Sequence, residues 1–477
     1  MMSQRRNSAK RIGRFALKPV VAAALLMGTG VATVQADNHD KKPFASSYKR
    51  MESQSTLITN VHILDGKGGM MKNAAIGLKD GKIMFVGTSI PKYNFDVTID
   101  GKGRWVTPGI IDVHSHLGVY ASPGTGSHSD GNEIGEPVTA DAWAEHGVWP
   151  QDAGFIAAAA GGITALQILP GSANLIGGRS VTLKNVPGRV QQDMKFPGAP
   201  HGVKFACGEN PKRVYGRGNN PLSKRPFTRM GNIAGMRQAF ADAEHYKAQW
   251  AKYKADKKAG KNPLKPRRDL KMDTLAGILD GEILVHNHCY RADDMGNMLD
   301  VAKEFGFKIG TFHHAVESYK IADRLKDAGT CSAMWADWGM FKMEAFDSIR
   351  ENIPFVHKAG ACAIVHSDSA TGIQRLNQEA AKALADGRKV GVNISKADAW
   401  TWLSLNPAKS LGIDKVTGTL EAGKNADIVL WSADPFSVYA VADLTFVDGA
   451  VTWDNNDKSK QPVMDFELGM PGEKDGK

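Results

Sequence analysis

One alternation through the middle of the chain constrains the fold more than any other feature. Short apolar runs end at His116, Leu169, Glu209, His288, His314, Asp337 and Asp368, and helical stretches at 152–162, 292–305, 319–327, 347–358 and 376–387 lie between most of them. Strand–helix alternation sustained over about 300 residues specifies a parallel sheet, and at that length a TIM-like (β/α)8 barrel. The run at 180–184 reads either as a barrel strand or as a surface hairpin. The stretch 219–266 is charged, helical and Lys-rich at its ends, and is expected to be a basic helical insertion outside the repeat.

The flanks have a different texture. Residues 55–106 consist of short β-like runs separated by the turn dipeptides Asp65-Gly66 and Asp80-Gly81, and the same pattern returns over 418–431 and 442–453. This predicts a small β-sandwich domain built from both chain ends, 37–107 and 408–477, around a barrel spanning 108–407. Residues 1–36 stand apart. Arg5, Arg6, Lys10, Arg11, Arg14 and Lys18 precede an apolar run from Val20 to Val34, and a small-residue cleavage site falls near Ala36. A secretory signal peptide is expected there, delivering the mature chain to the periplasm or the medium. The run is interrupted by Gly28, Thr29 and Gly30 and is short for a membrane span, so no span is expected in the mature chain.

Charge enters the argument here. The formal net charge of +10 includes six cations from the first 36 residues, leaving +4. Between Lys212 and Lys271, 17 Lys and Arg face only 4 Asp and Glu. Such a segment is either a solvated helical surface or a patch that attracts anions. Nucleic acid is not an expected partner, because the chain carries no recognition motif for it. The four cysteines, Cys207, Cys289, Cys331 and Cys362, form no Cys-x-x-Cys pair and each sits in an apolar run, so buried free thiols are expected.

The chemistry concentrates at the strand ends. His114 and His116 are two apart on a strand, and side chains at i and i+2 project from one face. Active sites of such barrels form where the strands end. His288, His314 and Asp368 end later strands, so the five converge although they are far apart in sequence.

The residues Thr107-Pro-Gly-Ile-Ile-Asp-Val-His-Ser-His116 resemble the first-strand signature of the amidohydrolase superfamily of metal-dependent hydrolases. The segments 406–413 and 418–427 resemble the return of that family to its β-sandwich. Residues 290–294 and 314–320 are similar to its imidazolonepropionase-like branch. The resemblance spans about Thr56 to Trp453. It implies a metal site of His114, His116, His288, His314 and Asp368, holding one or two divalent ions, Zn²⁺ first among them. It also implies a bridging ligand on the fourth strand, a glutamate or a carboxylated lysine. Glu209 is preferred because it ends its run and needs no modification; Lys204 is the alternative. His313, adjacent to His314, alternates away from the ligands; it and His286 are assigned to packing, and His366 to supporting the ligands from behind.

The implied reaction is cleavage of an amide, peptide or cyclic-amide C–N bond, with the metal activating water and polarising the carbonyl. Asp368 would be the catalytic residue, taking the proton from water and giving it to the leaving nitrogen. Arg179, Tyr290 and Arg291 are candidates for holding a carboxylate, which suggests a small-molecule or short peptide substrate bearing one. The same constellation also suits deamination of an aminated ring, and a metal-stabilised envelope binding protein without catalysis. The sequence leaves a homo-oligomer open.

Overall fold

The computed structural model describes residues 44–216 and 226–463. The signal peptide expected over 1–36, part of the basic segment, and the last residues of the C-terminal part lie outside the described residues. The chain begins with five strands, β1 (Thr56–Leu64), β2 (Met70–Lys79), β3 (Lys82–Gly87), β4 (Val97–Asp100) and β5 (Trp105–Pro108). Eight more follow: β6 (Ile110–Ser115), β7 (Ile163–Ile168), β8 (Ile176–Lys184), β9 (Gly202–Ala206), β10 (Leu284–Cys289), β11 (Ile309–His314), β12 (Cys331–Met334) and β13 (Cys362–Val365). The last three are β14 (Ile428–Trp431), β15 (Ala442–Val447) and β16 (Ala450–Asp454).

β6 to β13 form one eight-stranded sheet in sequence order, a nearly closed barrel with helices in its crossovers. Its strands are buried on both faces, as expected where helices cover a barrel whose interior is filled by side chains. One strand departs from the all-parallel expectation. β8 runs antiparallel to both β7 and β9. Only residues 169–175 separate β7 from β8, too few for the helical crossover that a parallel return requires.

The first and last groups of strands meet in a second sheet, in the order β16-β15-β14-β5-β1-β2-β3 with β4 beside β1. It has its own core, including Ile58, Ile63, Ile76, Val106, Ile428 and Phe446. Pro108 and Gly109 are the handover from this sheet to the barrel. A side chain at Gly109 would sit 2.1 Å from Thr164 Oγ1, so the close approach of β6 to β7 requires glycine there. A buried ion cluster ties the two sheets together. Lys184 on β8 lies 2.9 Å from Asp448 and 3.6 Å from Asp427, and the Tyr48 hydroxyl donates to Asp448 at 2.6 Å. Burial holds the Asp427 carboxyl above its usual pKa, against the pull of Lys184.

One expectation, that of free thiols, is corrected. The described part of the segment expected as a basic helical insertion lies between β9 and β10. Its helix Arg229–Lys258 buries Met236, Phe240 and Ala243, and Phe240 stacks on Phe307 at 4.3 Å and meets Phe205 of β9 at 6.0 Å. Charge on the outer face and the far end masked this inner stripe. The cysteines are paired, Cys207 with Cys289 and Cys331 with Cys362. Each bridge joins neighbouring strands of the barrel, with Cα atoms 5.3 and 4.5 Å apart. Sequence separations of 82 and 31 conceal that adjacency. Among the described residues, no helix is long and apolar enough to cross a membrane.

Replacing Lys184 with Met leaves two buried carboxylates facing each other. We predict a loss of about 3–5 kcal/mol in denaturant unfolding, partly recovered when Asp448→Asn is added. A loss below about 1 kcal/mol would show that the cluster does not hold the two sheets together.

Candidate metal centre

The first two histidines come from the end of β6. The alternation of that strand puts Asp112, His114 and His116 on one face, turned into the barrel. Asp112 is fully buried and accepts from the His114 N–H at 3.1 Å and the Ser367 N–H at 3.2 Å, and from the Ser367 hydroxyl. Burial pushes its pKa up to about 7, against the opposing effect of these hydrogen bonds. Asp112 was not singled out from the sequence, although its i−2 spacing from His114 carries the signal.

Two further side chains reach the same place because the backbone turns over at the strand ends. His314 has φ +67° and Ala315 φ +40°, and Asp368, beyond β13, has φ +52°. Left-handed backbone at non-glycine residues costs about 1–3 kcal/mol each and gathers at functional sites. Here it breaks strict alternation, so that His313 and His314 both face inward. The rings of His114 and His314 are 4.8 Å apart. Asp368 Oδ1 lies 3.3 Å from His114 Nε2 and 3.2 Å from His116 Nε2, and its Oδ2 lies 3.7 Å from His314 Nδ1. His288, on β10, brings its ring to 4.6 Å from that of His314 and accepts from Asn210 at 3.3 Å.

The structure therefore gathers His114, His116, His288, His314 and Asp368. It treats the remaining candidates differently. Lys204 is fully buried, 3.5 Å from His114 Nε2, and donates to the Pro170 carbonyl at 3.1 Å. Burial brings its pKa down to about 8, opposed by Asp368. Glu209 is not brought to the cluster. It opens the helix Glu209–Gly216 one turn beyond the strand and pairs with Lys342 at 3.1 Å. His366 joins His114 and His314 in a set whose ligand atoms lie within 4.8 Å of one another, so it stands within the cluster rather than behind it. His313 and His286 form a buried chain into the barrel, His286 Nδ1 to His313 Nε2 at 3.0 Å and His313 Nδ1 to His114 Nδ1 at 2.9 Å.

Of the carboxylate-holding candidates, only Tyr290 touches the cluster, stacked on His314 with ring centroids 5.3 Å apart. Arg291 is engaged by Asp293 through two 2.8 Å bonds. Arg179 is turned elsewhere, donating to Thr274 and lying over Trp143. Trp335, missed from the sequence, stacks on His314 at 4.3 Å.

Burial, reinforced by neighbouring Lys204, holds His114 and His288 well below the usual imidazole pKa. His314 is likewise lowered by burial and by the histidines around it, and His366 falls to about 3. All are thus neutral, the protonation state in which an imidazole can serve as a metal ligand. Burial works against ionisation of Asp368, but hydrogen bonding from His116 and the nearby cationic groups outweighs it, and its pKa falls below the usual carboxylate value. Buried Nδ1 atoms of His288, His314 and His366 lack a hydrogen-bond partner among the described residues. Unpaired buried nitrogens are costly unless something else satisfies them. Several neutral imidazoles and one carboxylate, with every cysteine committed to a disulfide, fit a divalent ion such as Zn²⁺.

Comparison with known proteins bears on the family of the chain. The model of the Amidohydrolase family matches residues 277–455. The amidohydrolase tasK of Hapsidospora irregularis is 31% identical over 376 residues, covering 75% of this chain, which spans only 37% of that relative's length. The imidazolonepropionase of Maricaulis maris is 26% identical over 413 residues, covering 81% of this chain and 94% of that one. Among solved structures, an amidohydrolase from Thermotoga maritima superposes with a TM-score of 0.76 at 31% identity, covering 84% of this chain and 100% of that one.

If the cluster binds a divalent ion, Zn²⁺ added to chelator-treated protein should raise its unfolding free energy, by about 4 kcal/mol at 1,000 times Kd. It should also change the emission of Trp335, which lies against His314. His314→Ala should remove both responses. A response that survives that change would place the ion elsewhere.

Proposed function

The chain belongs to the amidohydrolase family, and we propose that it hydrolyses a C–N bond, of an amide, peptide or cyclic amide, at the histidine cluster. One observation carries this reading. The Asp368 side chain touches three histidines yet remains 24% exposed, whereas His114 and His314 are 0% and 2% exposed. It is therefore the acidic group placed to face both the cluster and an incoming substrate.

His114, His116, His288, His314 and Asp368 would hold one or two ions, and Lys204, beside His114, would serve as the further ligand rather than Glu209, which is engaged by Lys342. An amine with a pKa of about 8 is partly neutral near physiological pH, the form that carboxylation needs. When bound, a divalent ion supplies a Lewis acid and makes water a better nucleophile at neutral pH. The protein's own groups do the rest. Asp368 takes a proton from water and passes it to the leaving nitrogen. Its low pKa keeps it ionised and ready to accept. His313 fixes the His114 ring through the 2.9 Å contact, as a hydrogen-bonded neighbour fixes a ligating imidazole. His116 is fixed in the same way by the Leu169 carbonyl at 2.9 Å.

We propose export as well. The support is the composition of residues 1–36 together with two disulfides in the folded chain, which suit an oxidising compartment.

The test is a screen of metal-loaded protein against dipeptides, N-acyl amino acids and cyclic imides, with Asp368→Asn as control. Hydrolysis should fall by about 10²–10⁴-fold in the variant. The reading fails if the protein cleaves only neutral esters, or releases ammonia from an aminated ring and leaves every amide intact. Ligand binding with no turnover, unaffected by the variant, would instead mark a binding protein.

A further inference from the structure

Two surfaces of opposite character flank the histidine cluster. The first is apolar. After β12 the chain crosses the mouth of the barrel as a loop, over residues 335–351, before entering the helix Asn352–Lys358. Trp335 is fixed in place, flat on His314 and donating from Nε1 to the Ser367 carbonyl at 3.2 Å. From it the wall extends outward to Trp338 at 5.4 Å and Phe341 at 5.9 Å. Phe341 also meets Tyr290, closing the ring contacts back onto His314. Trp338, Met340 and Phe341 are 45%, 70% and 57% exposed. A contiguous apolar surface left open beside a polar centre marks a place where apolar material binds. The adjoining cavity, of about 150 Å³, is lined by His314, Trp335, Trp338 and Met340 together with the charged Asp337 and Arg350, so the apolar character belongs to the aromatic wall.

The second surface is cationic and lies on the other side of Tyr290. Lys342 sits over the Tyr290 ring at 4.0 Å and bonds to Asn210 at 3.2 Å, and Asn210 in turn donates to His288. Beyond it a cavity of about 200 Å³ is lined by Lys212, Arg213, Arg229, Arg291, Glu209 and Glu344, and by Met343 from the apolar loop. Most of these charges are neutralised. Arg229 is engaged by Asp294 and Glu344, Arg291 by Asp293 and Glu209 by Lys342. Lys212 and Arg213 have no ion pair or hydrogen bond with the described residues, so the cavity carries two uncompensated cations. Arg213 is near enough to Tyr290 to act on its phenol electrostatically.

We propose that the substrate is an amino acid with a free carboxylate whose nitrogen is acylated by a large apolar or aromatic group. This rests on the C–N hydrolysis proposed above and adds the substrate class. The carboxylate is held by Lys212 and Arg213, and the apolar acyl part lies along Trp335, Trp338 and Met340. The scissile bond then spans the ground between them, over His288, His314 and Asp368. In the reaction the oxygen of water bonds to the acyl carbon, the C–N bond breaks, and the nitrogen leaves with the proton that Asp368 took from water. The products are an apolar carboxylic acid and a free amino acid. A substrate lacking either end loses one anchor.

The experiment compares N-(3-phenylpropanoyl)glycine with its C-terminal amide and with N-acetylglycine. It uses hydrolysis by the metal-loaded enzyme and calorimetric binding of the corresponding reduced-amide analogues, which cannot be hydrolysed. The free acid should be favoured over the amide by about tenfold, and the phenylpropanoyl over the acetyl ligand by about tenfold. Lys212→Ala with Arg213→Ala should bring the first ratio near one and leave the second standing. Trp338→Ala with Met340→Ala should do the reverse, which a general loss of folding cannot imitate. Wild-type ratios near one, or variants that weaken all ligands alike, overturn the proposal. If nothing is hydrolysed, the C–N reading fails by itself and the binding ratios still decide the two subsites.

Discussion

Closure of the barrel between its first and last strands is the constraint on which the centre depends. Among the described residues, β6 and β13 are not joined by ladder pairs in the sheet. They are held in register by the buried Asp112 carboxylate, which accepts from both the His114 and the Ser367 backbone, and by the Asp368 N–H, which donates to the His114 carbonyl at 3.0 Å. Lower in the barrel the seam is completed by the carbonyls of Trp402 and Leu403, which accept from Val365 and Ile111. The strand with the His-x-His pair and the strand end with Asp368 are therefore positioned by one buried acid. A polar seam is a costly way to close a barrel, because each buried group must find its partner. Its return is precision: the carboxylate oxygens of Asp368 arrive within reach of three imidazoles that belong to two other strands.

The same logic explains why the barrel interior is not purely aliphatic. His286, His313 and His114 form a continuous chain from the filled interior to the centre, each ring fixing the next. Below it, apolar packing supplies rigidity, and the Cys207–Cys289 bridge secures β9 to β10 beside His288. The second sheet contributes from a distance: its Asp427 and Asp448 grip Lys184 on β8, the one strand that runs against its neighbours.

Much of this was legible in the sequence because strand periodicity and strand ends are local properties. His114, His116, His288, His314 and Asp368 could each be placed at the end of an apolar run, and a barrel makes such ends converge. What was not legible depends on backbone excursions and on neighbours distant in sequence. Strict alternation excluded one of His313 and His314, and only the left-handed turn at His314 admits both. Glu209 looked better placed than Lys204 by its position in the run, but the chain turns into a helix there and carries Glu209 away to Lys342. The cysteine pairing required knowing which strands are adjacent. The antiparallel β8 could have been read from the short 169–175 link, had its length been weighed against what a parallel crossover needs.

The central claim is that these strand ends form one metal centre of nitrogen and oxygen donors. X-ray absorption at the metal edge of the loaded protein tests it most directly. The account predicts a first shell of N and O atoms at about 2.0–2.2 Å, with the outer-shell scattering of several imidazoles. That scattering should weaken when His114 or His288 is replaced. A shell containing sulfur, or an imidazole signature unchanged by both replacements, would contradict it.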